Sequence, residues 1–281
     1  MLLSTPGGVQ LETSYLFIDA ASLRQHLRDV ARKHFGAQTF EIDYKKVRHN
    51  YTKAFLYDAV PVKHDRETAE EYEIRAAATH AELSAASKVE RLHVYAGDMR
   101  YRKGKNQQKK VDVLIAVDML AHTFRHNMDR CALLTGDLDF KPLLDALVKE
   151  GMYTSLLYPP GHTNEELINA ADASYPISLG TLSGWLKDSS AVNFKVPQTK
   201  YISSPYMGGE PTILQWKDHN GQAVLLQRAG PEYVVIQPVG DIFYRTVWSD
   251  IAFLREFFLD TQTMNFPTLE EVIAAESRPV Q

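Results

Sequence analysis

The sequence is short of most features that mark a secreted, membrane-spanning or nucleotide-loop protein. It has one cysteine in 281 residues, Cys131, so no intramolecular disulfide is available and a reducing compartment is expected. No stretch approaches the ~20 apolar residues that a membrane span needs. The N-terminus, Met1 to Gly8, lacks the basic region and apolar core of a signal peptide, and a cytoplasmic location is expected. No Gly-rich loop runs into Lys-Ser or Lys-Thr, which argues against a Walker-type nucleotide site. Excess positive charge is missing too: 31 Lys and Arg stand against 35 Asp and Glu, a net charge of −4. Global electrostatics therefore give no hint of a nucleic-acid partner. Hydrophobic content of 44% and charged content of 23% are ordinary for a globular protein, and the length suits one large domain or two smaller ones.

The local charge distribution is less neutral. Residues 100–110 (Arg-Tyr-Arg-Lys-Gly-Lys-Asn-Gln-Gln-Lys-Lys) carry six basic side chains and no acid. A basic patch isolated on a mildly acidic chain is a directed feature rather than a compositional one.

Apolar runs alternate with helical patterns from the start. Tyr15–Asp19, Lys53–Asp58, Leu92–Tyr95, Cys131–Leu134 and Tyr153–Leu157 read as five strands. Between them lie helices over Leu23–His34 (with Ser22 as its expected N-cap), Glu67–Lys88, Val111–His126, Pro142–Lys149 and Asn164–Ala171, with a short one capped by Asp43. Such alternation predicts an α/β fold: a Rossmann-like parallel sheet of about five strands with flanking helices. Near residue 188 the pattern changes to short strands, with Asp218-His219-Asn220-Gly221 as a tight-turn signal. The expected organisation is one domain over residues 1–188 and a small β-rich module over 189–281. Residues 190–281 hold seven Lys/Arg and ten Asp/Glu. An acidic module is a poor candidate for gripping phosphates. It is a better one for packing, for homo-oligomerisation or for meeting a protein partner.

Four acids stand where the predicted strands end or the helices begin. Asp19 closes the first strand, Asp112 opens the helix in Lys-Val-Asp-Val-Leu, and Asp137 and Asp139 follow the fourth strand in Thr-Gly-Asp-Leu-Asp-Phe. Parallel sheets bind ligands beyond the carboxyl ends of their strands, where strand order reverses. Four carboxylates gathered there suit a hard divalent cation, Mg²⁺ or Mn²⁺. Asp19 and Asp137 are the expected direct ligands and Asp112 a direct or supporting one. Asp139 is expected to act through water. Helix capping is the competing reading for Asp137 and Asp139. His122 and His126 have zinc-ligand spacing on a helix but no third ligand.

With these acids in order the chain resembles the NYN domain family, a branch of the PIN-like nucleases. The matching pieces are Phe17-Ile18-Asp19 with Ser22, then Lys110-Val111-Asp112 through Asp118-Met119, then Thr135-Gly136-Asp137-Leu138-Asp139-Phe140, within roughly residues 13–175. The family pattern after strand one is Asp-Gly-x-Asn, where this chain has Ala20 and Ser22. The resemblance implies a magnesium- or manganese-dependent ribonuclease acting on RNA, with Ser22, Asp118 and Thr135 as a second tier of site residues. Arg102, Lys103, Lys105, Lys109 and Lys110 would then hold RNA phosphates, with Tyr101 stacking on an unpaired base. Ser22 motivates an alternative, a catalytically weak PIN-like module that binds RNA or a protein as a regulator. A phosphatase-type hydrolase ranks last, because Ala21 stands where its second Asp would be.

Overall fold

The computed structural model describes residues 12–59, 67–97, 108–203, 210–240, 242–260 and 265–277. The chain divides into two compact units. One holds the chain up to Asp29 together with Glu41–Tyr175; the other holds Val30–Phe40 and the chain from Pro176 onward.

The first unit runs β1 (Ser14–Asp19), α1 (from Ala20, to His34), α2 (Tyr44–Val47), β2 (Lys53–Ala59), α3 (Ala69–Ala86), β3 (Leu92–Gly97), α4 (Gln108–Phe124), β4 (Arg130–Leu134), α5 (Lys141–Lys149), β5 (Tyr153–Tyr158), α6 (Glu165–Ile168) and β6 (Ala173–Pro176). Strands apolar at every position need cover on both faces, which a parallel sheet with crossover helices supplies. The sheet has six strands in the order β3-β2-β1-β4-β5-β6, and the registered pairs among β1 to β5 are all parallel. The α/β sheet expected from the sequence is present, with one strand more than the five read there. That strand, β6, is the four-residue stretch Ala-Ser-Tyr-Pro, which has neither alternation nor a run of apolar residues.

Val111, Ile115 and Met119 recur every four residues and bury one face of α4 in the same cluster as Phe17, Phe55 and Leu133. The Phe17 and Phe55 rings stack at 4.9 Å, and the His122 ring lies 5.1 Å from Phe55. His122 is thus held among aromatic rings, with its Nδ1 3.0 Å from Asn127 Nδ2. α4 ends at Phe124, and His126 beyond it has φ +51°, so the two histidines do not share a helical face.

The second unit continues with α7 (Leu179–Trp185), α8 (Asp188–Ala191), β7 (Gln198–Ile202), β8 (Thr212–Lys217), β9 (Ala223–Ala229), β10 (Glu232–Val239), β11 (Ile242–Trp248), α9 (Ile251–Asp260) and α10 (Leu269–Glu276). Its five strands form an antiparallel sheet ordered β7-β11-β10-β9-β8. Alternation divides β9 and β10 cleanly. Val224, Leu226, Tyr233 and Val235 pack with Leu254, Phe258, Phe266 and Val272, while Leu225, Val234 and Ile236 form a separate cluster. The expected turn between β8 and β9 is built by Asp218, whose Oδ1 accepts from the backbone N–H groups of Asn220 and Gln222 at 2.9 Å.

Residues 30–40 pack within this unit. Phe35 stacks on Phe194 at 4.3 Å, Phe40 meets Phe194 edge-on at 4.9 Å, and Lys33 pairs with Glu256. Phe194 is 1% exposed. Phe194→Ala should therefore cost about 3–5 kcal/mol of unfolding free energy, the range for a truncated buried phenylalanine. Urea unfolding measures it, and a loss below about 1 kcal/mol would mean that this aromatic cluster is not tightly packed.

Candidate functional site

Strand order reverses between β1 and β4. β1 leads outward to β2 and β3, and β4 leads outward to β5 and β6. Asp19 is the last residue of β1, and Thr135-Gly136-Asp137 leaves the end of β4 beside it. The two chain ends are joined by hydrogen bonds. The Thr135 hydroxyl donates to Asp19 Oδ2 at 3.0 Å, and the Gly136 N–H donates to Ser22 Oγ at 2.9 Å. Asp19 Oδ1 accepts from the N–H groups of Ala21 (3.1 Å) and Ser22 (3.2 Å), so the acid caps α1. Ser22 is not the N-cap expected of it. α1 begins at Ala20, which puts Ser22 inside the first turn and turns its hydroxyl to the β4 loop.

Asp137 also caps, taking the Asp139 N–H on Oδ1 at 3.0 Å at the start of a 3-10 turn over Leu138–Phe140. Its own N–H donates to Thr135 Oγ1 at 3.2 Å. Space at Gly136 is tight: a Cβ there would stand 3.1 Å from Thr163 Oγ1 and 3.2 Å from a Pro159 ring carbon, so these neighbours would have to give by a few tenths of an ångström. Capping and site chemistry are therefore not exclusive, because a carboxylate carries about four acceptor positions and each cap uses only some.

Burial pushes the Asp19 carboxyl above its ordinary range, against the hydrogen bonds from Ser22, Thr135 and Ala21, and Asp137 adds a smaller push upward. Asp112, in the early turns of α4, is pushed up to about 6, first by desolvation and then by the charges of Asp19, Asp137 and Asp139. All four predicted acids thus share one electrostatic neighbourhood. Among the described residues, however, no group of three or more His, Cys, Asp or Glu side chains is gathered so as to hold a metal ion. Asp118 is engaged elsewhere, accepting the Tyr57 hydroxyl at 2.8 Å. Arg102, Lys103 and Lys105 lie outside the described residues. Lys109 and Lys110 fall in the first turn of α4, and their side chains lie outside the description as well.

An open cleft of about 580 Å³ lies over Asp19, Ser22, Gly136 and Asp137 and extends to Gln25, Arg28, His162 and Thr163. Arg28 donates to Gln25 Oε1 at 2.9 Å, and Gln25 Nε2 donates to both oxygens of Asp29 at 2.9 Å. The sequence reading missed these lining residues. Gln25 and Arg28 follow Ser22 by about one and two helical turns, and His162 lies in the loop after β5, at a strand's carboxyl end. Both placements were readable signals.

The NYN domain family model matches residues 13–179. None of the curated proteins compared with the chain matches it. Among solved structures, a protein of unknown function from Vibrio parahaemolyticus is similar at 17% identity, with a TM-score of 0.42. The match covers 64% of this chain and 99% of that one.

The raised Asp112 carboxyl has a sign that can be measured. An acid whose folded pKa lies above its unfolded value, ordinarily about 3.9, favours the fold while protonated and loses that contribution as pH rises through about 6. In EDTA, Asp112→Asn should therefore raise the melting temperature at pH 7.5 and leave it nearly unchanged at pH 4. An equal shift at both pH values, or a loss at pH 7.5, would contradict the electrostatic origin.

Proposed function

The chain belongs to the NYN domain family, and from that premise we propose that it is a metal-dependent endoribonuclease that cleaves RNA phosphodiester bonds at the β1/β4 switch. The observation that carries the reading is the convergence at the β1/β4 switch of Asp19, tied to Thr135 at the end of β4, with Asp137 and Asp139, whose charges add to burial in raising Asp112. An acid raised by burial and by the charges of three neighbouring carboxylates, at a strand-order switch, is a chemical fit for Mg²⁺ or Mn²⁺. Asp19, Asp112 and Asp137 would hold the ion, with Asp139 acting through water. When bound, it would neutralise charge developing on the phosphate and lower the pKa of a water.

The remaining chemistry belongs to the protein's own groups. Backbone N–H groups and the Thr135 hydroxyl fix the Asp19 carboxylate in one orientation, so little reorganisation is needed on reaction. Ser22 holds the Gly136 turn against α1. Arg28 and His162 line the same cleft and would take phosphate oxygens of the bound strand. Residues 1–188 would carry this chemistry, and residues 189–281 would lie outside it.

The second reading, RNA or protein binding without cleavage, is favoured by one observation: Ser22 spends its hydroxyl on Gly136, where the family pattern offers an asparagine amide. Labelled single-stranded RNA with Mn²⁺ or Mg²⁺ separates the two. Cleavage should vanish in EDTA and in Asp137→Asn. Thr135→Val, which removes one support of Asp19, should lower activity or metal affinity about 10–100-fold. Binding without cleavage by the unsubstituted protein at saturating Mn²⁺ would discard the nuclease reading.

Replacing Lys103, Lys105 and Lys109 by Ala should weaken RNA binding and flatten the plot of log affinity against log salt by ~0.7 per lost contact. The saturating cleavage rate should hold, because these lysines would grip ground state and transition state alike. An unaltered salt slope would place the RNA path elsewhere.

A further inference from the structure

Asp118 belongs to the α4 motif but not to the cleft over Asp19 and Asp137. It accepts the hydroxyl of Tyr57 at 2.8 Å, and Tyr57 is fully buried near the end of β2. Tyr57 pairs in register with Asp19 of β1 on one side and with Tyr95 of β3 on the other. Residues paired across a parallel sheet point to the same face, so Asp19, Tyr57 and Tyr95 form one row at the carboxyl ends of their strands. The Tyr95 ring lies 5.1 Å from that of Tyr57 at an interplanar angle of 11°, a stacked pair. Phe17, Phe55 and His93 stack in the same way one row below, at 4.9 and 5.2 Å. Both rows of rings run out at β3, an edge strand. Tyr95 is still 38% exposed, although Tyr57 covers one face of its ring. Stacked cross-strand rings stabilise a strand pair by themselves, and that accounts for the contact. It does not account for a row that ends on an open ring at the carboxyl end of the sheet, where ligands of such folds bind.

We propose that Tyr95 is a stacking platform for unpaired RNA, whose nucleobase becomes the next ring of the Tyr57–Tyr95 stack. Every base has a π-face, so the contact tolerates any sequence. Two observations besides the ring favour RNA. Tyr95 stands two strand spacings from Asp19, about 10 Å across the sheet, within reach of a strand held at the acids. The six basic residues of 100–110 begin five residues beyond Tyr95 in the chain, and an apolar protein surface would have no use for them. The stacking expected of Tyr101 lies outside the described residues, whereas Tyr95 is within them. Asp118 and Tyr57 are positioning residues here: their hydrogen bond fixes the inner ring, and the inner ring fixes Tyr95. A ring already held in its bound orientation loses little freedom when a base settles on it. The ligand class rests on the RNA reading of the acid site, but the stack needs neither metal nor cleavage.

The test measures binding of two fluorescent twelve-residue strands of equal charge to the full chain in EDTA across a salt series. One is oligoadenylate and the other a fully abasic oligoribophosphate. The unsubstituted protein should hold oligoadenylate more tightly. Tyr95→Ala should weaken oligoadenylate about 5–100-fold, the loss of one base–aromatic stack, and leave the abasic strand bound as before. Its salt slope should not change, because no phosphate contact is removed. Tyr95→Leu, which keeps apolar cover over Tyr57 without a π-face, should do the same with less disturbance of the fold, and thermal unfolding checks both. Tyr95→Phe should bind like the unsubstituted protein. Tyr57→Phe, which breaks only the bond to Asp118, should show a smaller loss confined to oligoadenylate. An equal loss on both strands, or no loss on either, would overturn the proposal. If the unsubstituted protein binds neither strand, the proposal falls together with the RNA reading. If it cleaves RNA and Tyr95→Ala binds oligoadenylate normally, this inference alone fails. A base-dependent loss in a protein that never cleaves would leave this inference and discard the nuclease.

Discussion

The hydrogen bonds that converge on Asp19 decide the rest of the site. One carboxylate oxygen closes the first turn of α1 by taking two backbone N–H groups, and the other takes the Thr135 hydroxyl from the end of β4. Ser22 repeats the link one step further on, through Gly136. The two strands that flank the strand-order switch are therefore stitched by side chains at their carboxyl ends as well as by the backbone ladder below. A switch point splays by topology, because successive connections leave it in opposite directions. Here it is held closed enough for Asp137 to press on Asp19 and for Asp112 to sense both. The cost is visible in the same groups: Asp19 is buried, and burial disfavours its charged form.

α1 would be a weak foundation if its cap were its only tether. Arg24, one turn beyond Ala20, donates to both oxygens of the buried Asp58 at the end of β2, and its Nη1 also reaches Glu82 on α3 at 3.3 Å. Tyr44 donates to the other Glu82 oxygen at 2.5 Å. A buried ion pair adds little net stability, because desolvation consumes most of the Coulomb gain. Its value is directional: the bidentate fork fixes the rotation of α1 about its axis. That rotation sets where Ser22, Gln25 and Arg28 point, and so which side chains line the cleft over the acids.

What could be read beforehand follows from the range of the forces involved. Strands β1, β2, β4 and β5 are continuous apolar runs, and the four acids stand at their ends or at helix starts, so local pattern placed them. Ser22 was misassigned because Asp19, Ala20 and Ser22 all lie near the helix start, and sequence spacing does not say which oxygen closes the turn. Arg24–Asp58 was invisible for the usual reason: the partners are 34 residues apart and meet only through the fold. β6 and β7 escaped because Ala-Ser-Tyr-Pro and Gln-Thr-Lys-Tyr-Ile lie at sheet edges, where one neighbour suffices and no apolar run is required.

For the C-terminal stretch, a charge count says less than a charge map. Net charge is a sum over residues, whereas binding depends on potential at a point, and the two separate when like charges cluster. Several described acids of residues 190–281 serve turns, helix starts and surface pairs. Asp218 builds a turn, Glu271 closes a capping box with Thr268, and Glu256 answers Lys33. Glu210 alone among these is paired on β11, with Arg245 at 3.1 Å, opposite Lys200. The same rule operates at the β1/β4 switch: in a chain nearly balanced overall, Asp19, Asp137 and Asp139 stand near enough to Asp112 to raise its carboxyl. At the switch the cost falls on Asp112, whose charged form is disfavoured first by burial and then by the acids around it.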